Sequence, residues 1–356
     1  MKRILYITAF PPNECTGGQM FSKCAIQDLA RSHRVDVWYF AYPGHACDVV
    51  VQGNVGDVRQ WEAKRFSWLR YLWVYPIFSR RMNGRFLREL KRVALSYDIL
   101  YFDFSQVALA SLFVSHPCKI IRMHDVLCQK FDRTNSLVSK WIRKTEEQIV
   151  RSAKKVFVPS EKDVRLLLEN YGVTAEYTHE YLKPFVIDEP VVPTNQVALY
   201  GYWKRPENAD GLRWFLQRVI PLSNKKWHFV TIGGGMSESL RAEAEQAGVH
   251  CLGFVDDPLP ELFKSAALVV PLFRGAGVKV KALDALSTGT YVVGTHVALE
   301  GLPELPGMMR QCEDEQAFAQ ALDQIQTPSR ADKLQRRAAF IQLYDNRHLS
   351  EMLEKI

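Results

Sequence analysis

A glycine-containing turn between a strand and a helix carries the residues with the clearest chemistry. Residues 271–295 read PLFRGAGVKVKALDALSTGTYVVGT, an apolar strand followed by a turn and then a helix. The turn contains Gly275, Ala276, Gly277 and Val278. Glycines let the backbone approach a ligand closely, and a helix N-terminus offers unpaired N–H groups with a partial positive charge. This combination predicts a binding site for a diphosphate group.

Three charged side chains follow this turn on the predicted helix. Lys279 and Lys281 fall in its first turn, where cations oppose the helix dipole unless an anion lies nearby. We therefore expect at least one of them to bind phosphate, with ordinary solvent-facing lysines as the alternative. Asp284 lies on the same face within an apolar run. Its carboxylate could accept both hydrogen bonds from a ribose diol, or it could simply stabilise the start of the helix.

The elements that must position these residues alternate regularly along the chain. Strand-like runs such as ILYITAF (4–10), VDVWYFAY (35–42) and DILYFDF (98–104) alternate with helix-length amphipathic segments. This order predicts an α/β protein with parallel strands and helices on both faces of each sheet. A second series starts at VALYGY (197–202), after a proline-rich stretch near 182–195 that is typical of a linker.

Two sheets of similar size predict two Rossmann-like domains, residues 1–185 and 195–340. Ligands bind beyond the carboxyl ends of the strands in open parallel sheets, so we expect the domains to face each other across a cleft. His124 ends the strand KIIRMHD (119–125) and is followed by Asp125. The strand direction points His124 towards this cleft, although a lone histidine after a strand is more often structural.

The composition narrows the classes of protein that the chain can form. With 356 residues, 47% hydrophobic and 24% charged, it resembles an ordinary globular protein and not a disordered, collagen-like or coiled-coil chain. No apolar run reaches the roughly 18 residues of a membrane-spanning helix. The opening ILYITAF is interpreted as a buried strand and not as a signal peptide. Seven cysteines without a C-x-x-C pair argue against a disulfide framework and a zinc site, and they favour a reducing cytoplasm.

A basic and aromatic segment spans residues 59–92. It holds ten Lys or Arg against two Glu, in a chain whose formal net charge is +7, and aromatic residues are interleaved with the bases. Cations beside aromatic rings suit a lipid headgroup boundary, so the segment predicts a membrane-surface patch. Single-stranded nucleic acid is a less favoured partner, and we expect none. A partly buried helix with a solvated basic face is the second alternative.

The turn at 271–295 resembles the C-terminal signature of GT-B glycosyltransferases, specifically the retaining, family-4-like enzymes. Their signature reads approximately P-L-R-x-G-x-G-x-K-x-K-x-L-E-A-L-A-x-G-x-P-V-V, and its glycines, lysines and closing strand recur here at the same spacing. The resemblance extends to YGYWKRPENADGLRWFLQRVIP (200–221), WHFVTIGGG (227–235) and GFVDD (253–257), and more loosely to the first domain.

This resemblance implies roles for individual residues of the second domain. Asp284 takes the position of the acidic residue that binds the ribose. Lys204 and Arg205 stand near the place of a basic pair on the diphosphate. Val255 and Asp256 would hold the nucleobase, mainly through backbone groups.

The resemblance also assigns residues of the first domain and of the chain end. Gly17 and Gly18 after the first strand fit a donor-binding turn. His124 and Asp125 fit the catalytic face beside the donor sugar. Residues 341–356 would form a helix that returns to the first domain.

The activity implied by the family is transfer of a sugar from a nucleotide-diphosphate sugar to an acceptor. Ala276 stands where many relatives carry a glutamate that contacts the donor sugar, so that contact is replaced or lost. Without an Asp-x-Asp motif we expect no metal and no cofactor, because Arg205, Lys281 and the helix start can stabilise the leaving phosphate. Front-face attack assisted by that phosphate would retain the anomeric configuration.

The basic and aromatic segment lies in the domain that receives the acceptor in this family. It suggests a lipid-linked saccharide acceptor in cell-surface polysaccharide biosynthesis and a cytoplasmic enzyme at the inner face of the cell membrane. The alternatives are a nucleotide-sugar epimerase or hydrolase of the same shape and a non-catalytic nucleotide-sugar-binding protein. A dehydrogenase is disfavoured because the first turn, PPNECTGG, lacks G-x-G-x-x-G.

Overall fold

The chain is described by a computed structural model for most of its length. The described residues are 1–13, 16–41, 49, 51–63, 71–132, 136–178, 191–224, 226–275, 277–344 and 348–356. They divide into an N-terminal unit, Met1–Leu182 with Asp345–Ile356, and a C-terminal unit, Lys183–Tyr344. The predicted linker near 182–195 falls mostly outside the described residues.

The N-terminal unit is built on a parallel sheet. Its strands are β1 (Arg3–Thr8), β2 (Arg34–Ala41), β3 (Val55–Glu62), β4 (Ile99–Asp103), β5 (Lys119–Arg122), β6 (Lys155–Val158) and β7 (Glu176–Tyr177). Its helices include α1 (Gly17–Leu29), α2 (Pro76–Ser79), α3 (Gly84–Val93), α4 (Ser105–Ala108), α5 (Leu127–Asp132), α6 (Ser136–Arg151) and α7 (Glu161–Tyr171). The strand order is β3-β2-β1-β4-β5-β6-β7, and neighbouring strands are parallel. The chain reverses its direction of winding between β1 and β4, which is where a doubly wound sheet opens a crevice for ligands.

The C-terminal unit repeats this design. Its strands are β8 (Gln196–Tyr200), β9 (His228–Ile232), β10 (His250–Gly253), β11 (Ser265–Val270), β12 (Tyr291–Gly294) and β13 (Met309–Gln311). Its helices are α8 (Pro206–Trp214), α9 (Glu238–Gln246), α10 (Leu259–Lys264), α11 (Val280–Ser287), α12 (His296–Leu299), α13 (Glu315–Gln324) and α14 (Arg330–Leu343). The order β10-β9-β8-β11-β12-β13 is again parallel throughout, with its switch point between β8 and β11.

The prediction of two parallel Rossmann-like sheets is therefore confirmed. The central strands β1 and β4 are buried on both faces, as their unbroken apolar sequences require in a sheet covered by helices on both sides. The strand β3 was not predicted, because it is a largely exposed edge strand in which polar residues outnumber apolar ones. Its last residues instead fell within the basic and aromatic segment 59–92.

The end of the chain forms two helices that belong to different units. The helix α14 runs to Leu343 within the C-terminal unit, and a separate helix, α15 (His348–Glu354), belongs to the N-terminal unit. The Asp28 carboxylate holds the start of α15 by accepting bonds from the Ser350 amide, at 3.1 Å, and from its hydroxyl, at 3.0 Å. A buried acceptor at a helix N-terminus satisfies donors that the helix itself leaves unpaired.

A buried lysine fastens α14 to the sheet of the C-terminal unit. The Lys333 ammonium donates to the carbonyl oxygens of Leu262, Phe263 and Ser265 at 2.5–3.0 Å, and to the Thr290 hydroxyl at 2.7 Å. The Lys333 carbonyl meets Gly289, which ends α11 with a φ of 71°. A Cβ atom on that glycine would lie 2.0 Å from the Lys333 oxygen, so this helix end requires glycine for two reasons.

Replacing Gly289 by alanine tests this contact, with Gly248→Ala as the matched control. Both glycines follow a helix at positive φ, 71° and 80°, but a Cβ at Gly248 meets no atom within 4 Å. Both variants carry the backbone penalty of about 1–2 kcal/mol, and Gly289→Ala adds the clash. We expect Gly289→Ala to lower the free energy of unfolding by at least about 1 kcal/mol more than Gly248→Ala in urea titrations. Equal losses would contradict the close contact.

Candidate functional site

Two glycines bring the backbone of β8 and β9 together at the switch point of the C-terminal sheet. Gly233, just after β9, approaches Gly201 so closely that a Cβ on Gly233 would lie 2.1 Å from the Gly201 oxygen. A Cβ on Gly201 would in turn lie 2.9 Å from the Lys281 Nζ and 3.0 Å from the Asn208 amide nitrogen. We call this place, at the carboxyl ends of β8 and β11, the glycine corner. Only glycine leaves room there for a cation.

The cation in the glycine corner is the ammonium of Lys281, on the first turn of α11. Its Nζ donates to the Asn208 side-chain oxygen at 2.7 Å, and the Asn208 amide donates to the Tyr202 carbonyl at 2.8 Å. No carboxylate among the described residues lies within ion-pair distance of Lys281. Burial and, after it, the positive charge of Arg205 lower the pKa of Lys281 to about 7, against a smaller raising effect of the Glu207 carboxylate. The corner is therefore electropositive, and among the described residues the hydrogen-bond partner of the ammonium is a neutral amide.

The start of α11 is shaped by the predicted glycine turn. Gly275 and Gly277 have φ values of 144° and 70°, while Ala276 lies outside the described residues. Lys279 is the residue that caps α11, and its ammonium donates to the Gly277 carbonyl. The two lysines are thus not equivalent: Lys279 folds back on the turn, and Lys281 alone reaches the glycine corner.

Asp284 lies one turn further along α11 and is buried. Burial raises the pKa of the Tyr200 hydroxyl, and the charge of Asp284 raises it further, which places this carboxylate near the carboxyl end of β8. Asp284 therefore belongs to the same edge of the sheet as Lys281. The structure brings these two predicted residues together.

The predicted basic pair lies in the turn that follows β8. Lys204 and Arg205 are exposed, and Arg205 immediately precedes α8. The positive charge of Arg205 lowers the pKa of Lys281, so Arg205 lies within electrostatic range of the glycine corner. Lys204 instead packs against the turn after β9, where a Cβ on Gly235 would lie 3.2 Å from the Lys204 Cβ.

The predicted nucleobase loop shows aromatic side chains that sequence reasoning missed. Val255 is half-buried and Asp256 is exposed after β10, as a loop that uses its backbone would be. Beside them Phe254 is 75% exposed and lies against Gly234, while Tyr202 is 53% exposed and lies against Gly235. Two large exposed rings beside a glycine turn offer apolar surface for a flat ligand.

The N-terminal unit has its own polar cluster at the switch point between β1 and β4. The carboxylate of Asp103, at the end of β4, is fully buried. It accepts bonds from His124 Nε2 at 2.8 Å, from the Arg122 guanidinium at 3.2 Å and from the Ser22 hydroxyl at 2.5 Å. We call these four residues the Asp103 cluster. Sequence reasoning had selected His124 but missed Asp103 and Ser22.

The remaining predicted residues of the N-terminal unit surround this cluster. Gly17 opens α1, and Gly18 follows it, close under the Phe104 ring that stacks on His124. Asp125 is half-buried in the turn between β5 and α5. The structure thus places Gly18 and His124 together, with Asp125 next in the chain.

The described residues of the basic and aromatic segment 59–92 lie partly in the core and partly at the surface. Residues 64–70 lie outside the described residues. The rings of Trp61, Phe78 and Phe86 are buried in the core, and Arg81 is buried with its guanidinium donating to the Ala9 carbonyl at 2.8 Å. On α3 the exposed bases form a solvated face. Among the described residues, the alternative of a partly buried helix therefore describes α3 better than a membrane patch does.

The described residues contain neither a membrane-spanning helix nor a cluster of metal ligands. No described helix is long and apolar enough to cross a bilayer. In the same part of the chain, no group of three His, Cys, Asp or Glu side chains is placed to hold a metal ion.

Two sequence families match the two units. "Glycosyl transferases group 1" matches residues 195–327, and "Glycosyltransferase Family 4" matches residues 25–179. The chain belongs to the GT-B glycosyltransferases. The first match contains the glycine corner, and the second contains Asp103, Arg122 and His124, whereas Ser22 lies just before it.

Solved structures show the same fold over the whole chain of this GT-B glycosyltransferase. Sucrose-phosphate synthase from Thermosynechococcus elongatus is 14% identical with a TM-score of 0.71, and it covers 100% of this chain and 98% of its own. HepE from Anabaena, solved with UDP and glucose, is 15% identical with a TM-score of 0.68, covering 100% and 99%. TarM of S. aureus, solved with UDP, is 12% identical with a TM-score of 0.71, covering 100% and 99%.

One curated protein is related in sequence to this GT-B glycosyltransferase. An uncharacterized 44.6 kDa protein in the cps region of Klebsiella pneumoniae is 25% identical over 196 residues. The match covers 51% of this chain and 46% of the relative, so it spans about half the length of that protein.

The titration of Lys281 predicts how stability depends on pH. Its pKa is about 7 in the folded protein against 10.5 for an ordinary lysine, so between these values the unfolded state binds more protons. Stability gained from this group therefore rises with pH from about 7 to 10, by up to about 1.4 kcal/mol per pH unit. We expect the rise to be smaller in Lys281→Met than in the wild type, and unchanged in Lys226→Met, which removes an exposed lysine. Parallel unfolding curves for all three proteins would contradict the burial of this charge.

Proposed function

We propose that this glycosyltransferase moves a sugar from a nucleotide-diphosphate sugar to a saccharide acceptor in cell-surface polysaccharide biosynthesis. The observation that carries the proposal is the Lys281 ammonium, held in the glycine corner by a neutral amide and next to Arg205. Two neighbouring positive charges are stabilised by a bound anion. The diphosphate of the donor is the anion that fits this family and this place in the sheet.

The remaining parts of the donor have candidate partners at the same edge of the sheet. Asp284 is the proposed acceptor for the ribose hydroxyls, and the loop containing Val255 and Asp256 is the proposed base site. The exposed rings of Phe254 and Tyr202 supply apolar surface for the base. HepE, whose solved complexes hold UDP and UDP-glucose, supports a nucleotide-sugar donor by its shared fold.

The proposed mechanism stabilises the leaving diphosphate without a metal ion. As the bond from the sugar to the phosphate oxygen breaks, negative charge develops on the diphosphate, and Lys281 and Arg205 oppose it directly. The N–H groups at the start of α11 contribute a partial positive charge. The acceptor hydroxyl attacks from the face that the diphosphate leaves, its proton passes to a phosphate oxygen, and the configuration is retained. Because Ala276 offers no carboxylate, contacts to the donor sugar come from other residues, among them His124.

The acceptor is proposed to be lipid-linked, presented at the inner face of the cell membrane to a cytoplasmic enzyme. The related protein from the cps region of Klebsiella pneumoniae supports a role in polysaccharide biosynthesis. Exposed apolar side chains of the N-terminal unit support the proposal that the protein binds a membrane. They are 40–77% exposed and comprise Leu72, Trp73, Leu137 and Trp141. The Trp141 Nε1 donates to the Trp73 carbonyl at 2.8 Å. We call these four residues the docking face.

Charge around the docking face favours anionic lipid. Lys140 and Lys144 are exposed on α6, next to Trp141 and one turn apart. Tryptophan at the headgroup level combined with flanking lysines is the arrangement by which peripheral proteins bind anionic membranes. The docking face replaces the segment 59–92 as the proposed membrane contact, and it shares with that segment only Leu72 and Trp73.

Nucleotide binding tests the proposed donor site. We expect UDP, GDP or ADP to bind the wild type in calorimetric titrations, and Lys281→Met to weaken that binding by at least about tenfold, the effect of one lost charge-assisted hydrogen bond. Lys226→Met is the matched control, because Lys226 is exposed at the amino end of β9, the opposite edge of the sheet from the glycine corner. Equal affinity in Lys281→Met and Lys226→Met would refute the assignment.

Vesicle flotation tests the docking face. The double variant Trp73→Ser, Leu137→Ser removes two exposed apolar side chains but keeps the Trp73 carbonyl that accepts from Trp141. We expect the wild type to float with phosphatidylcholine vesicles that contain phosphatidylglycerol, less so at high salt, and the double variant to remain in solution.

The matched control is Leu95→Ser, because Leu95 is 80% exposed near the amino end of β4. It should float like the wild type. Failure of the wild type to float at low salt would exclude membrane docking, and equal loss in both variants would exclude this particular face.

A further inference from the structure

Asp103 is a buried carboxylate that has no role in the donor site proposed above. Both its oxygens are occupied by donors from three separate elements: Ser22 from α1, Arg122 from β5 and His124 from the turn after β5. Burial raises the pKa of Asp103, but His124 and Arg122 lower it more, to about 2. The carboxylate is therefore ionised, with the permanent charge of Arg122 as its counterion.

An ionised Asp103 determines which nitrogen of His124 carries the proton. A carboxylate accepts hydrogen bonds only, so the Nε2 that lies 2.8 Å from it must bear hydrogen. Burial lowers the pKa of His124 and so favours the uncharged ring, whose single proton is then the one on Nε2 that Asp103 accepts. The other ring nitrogen, Nδ1, is then left as an acceptor. It faces Gly18, where a Cβ would lie 3.9 Å from it.

The orientation of the His124 ring is fixed as firmly as its tautomer. The Phe104 ring stacks on it with centroids 3.7 Å apart and planes 9° from parallel. Phe104 is the described non-glycine residue with a positive φ, 78°, a conformation that is unfavourable for an aromatic residue. Gly18 makes this stacking possible, because a Cβ there would lie 3.0 Å from Phe104 Cζ. The unfavourable backbone conformation of Phe104 therefore places its ring against the His124 ring.

We propose that Asp103 is a positioning residue, which holds His124 as the Nε2–H tautomer so that Nδ1 faces the α1 glycines as an acceptor for a hydroxyl group of the donor sugar. The role of Nδ1 rests on the proposed function, whereas the tautomer does not. The charged and titratable groups that bear on the ring are Asp103 from β4 and Arg122 from β5, while Ser22 from α1 contacts Asp103 and is neutral.

A structural role for Asp103 predicts a different outcome from a positioning role. A carboxylate that merely ties β4, β5 and α1 together affects stability, and its loss leaves the surviving folded protein active. A positioning residue changes the protonation pattern of His124 and the turnover number while nucleotide binding is kept. Asp103→Asn separates the two, because it keeps the shape but replaces one acceptor oxygen by an NH₂ donor.

The experiment is nitrogen NMR of the full chain labelled with ¹⁵N-histidine, without ligand, with the His124 signals assigned from His124→Gln. We expect the wild type to show hydrogen on Nε2 and none on Nδ1, and Asp103→Asn to show a mixture of tautomers. Asp163→Asn is the matched control: Asp163 is also buried and accepts from the Ser160 hydroxyl, at 2.6 Å, in the same unit. It should leave the His124 signals unchanged.

The kinetic readout is transfer from the nucleotide sugar identified by binding. In Asp103→Asn we expect kcat to fall on the order of ten- to a hundredfold, with the Kd for the nucleotide unchanged, and in Asp163→Asn we expect neither to change. Should Asp103→Asn fail to fold, Ser22→Ala removes one donor to the same carboxylate and is expected to shift the tautomer in the same direction, by less.

The NMR experiment tests the positioning role of Asp103, and the kinetic experiment also tests the proposed sugar transfer. Hydrogen on Nδ1 in the wild type, or identical His124 signals in the wild type and Asp103→Asn, would overturn the positioning role. A shifted tautomer in a protein that transfers no sugar from any nucleotide would support the positioning role and reject the proposed function.

Discussion

The presence of an ammonium group in the glycine corner, with only a neutral amide to receive it, is the interaction on which the rest of the C-terminal unit depends. Lys281 reaches Asn208 because Gly201 has no side chain, and Gly201 lies there because Gly233 allows two backbone segments to touch. A partly buried cation that hydrogen-bonds to a neutral amide is less stable than one paired with an anion. A diphosphate bound beside Lys281 would supply this anion, so the interaction of its charge with the ammonium would contribute to the affinity for the donor.

The two units use the same strand order but treat charge in opposite ways at their switch points. In the N-terminal unit the charge of Asp103 is fully matched by the donors around it, which makes a rigid support for His124. In the C-terminal unit the Lys281 ammonium hydrogen-bonds to a neutral amide oxygen instead of a carboxylate. A matched charge fixes a side chain, and an unmatched one attracts a ligand. In the proposed function, the N-terminal cluster therefore positions His124, and the C-terminal corner binds the donor diphosphate.

Sequence reasoning recovered what depends on local pattern. The alternation of apolar strands with amphipathic helices predicted both sheets, and the turn before α11 drew attention to Lys281 and Asp284, which lie at the same edge of the sheet. It missed Asn208 and Asp103, because an asparagine in a helix and an aspartate after a strand carry no signal until the fold brings their partners close. Ser22 and Asp103, for example, are 81 residues apart.

In the basic and aromatic segment, the sequence pattern leaves open which of the aromatic rings face the core. Aromatic residues serve equally in a core and at a membrane, and only the packing of α3 shows that Phe86 points inward.

A crystal structure of the protein grown with UDP would show directly whether Lys281 binds the donor diphosphate. We expect a phosphate oxygen within about 3 Å of Lys281 Nζ, with the diphosphate beside the start of α11 and the ribose against Asp284. Nucleotide bound elsewhere, with Lys281 contacting Asn208 alone as in the ligand-free protein, would contradict it.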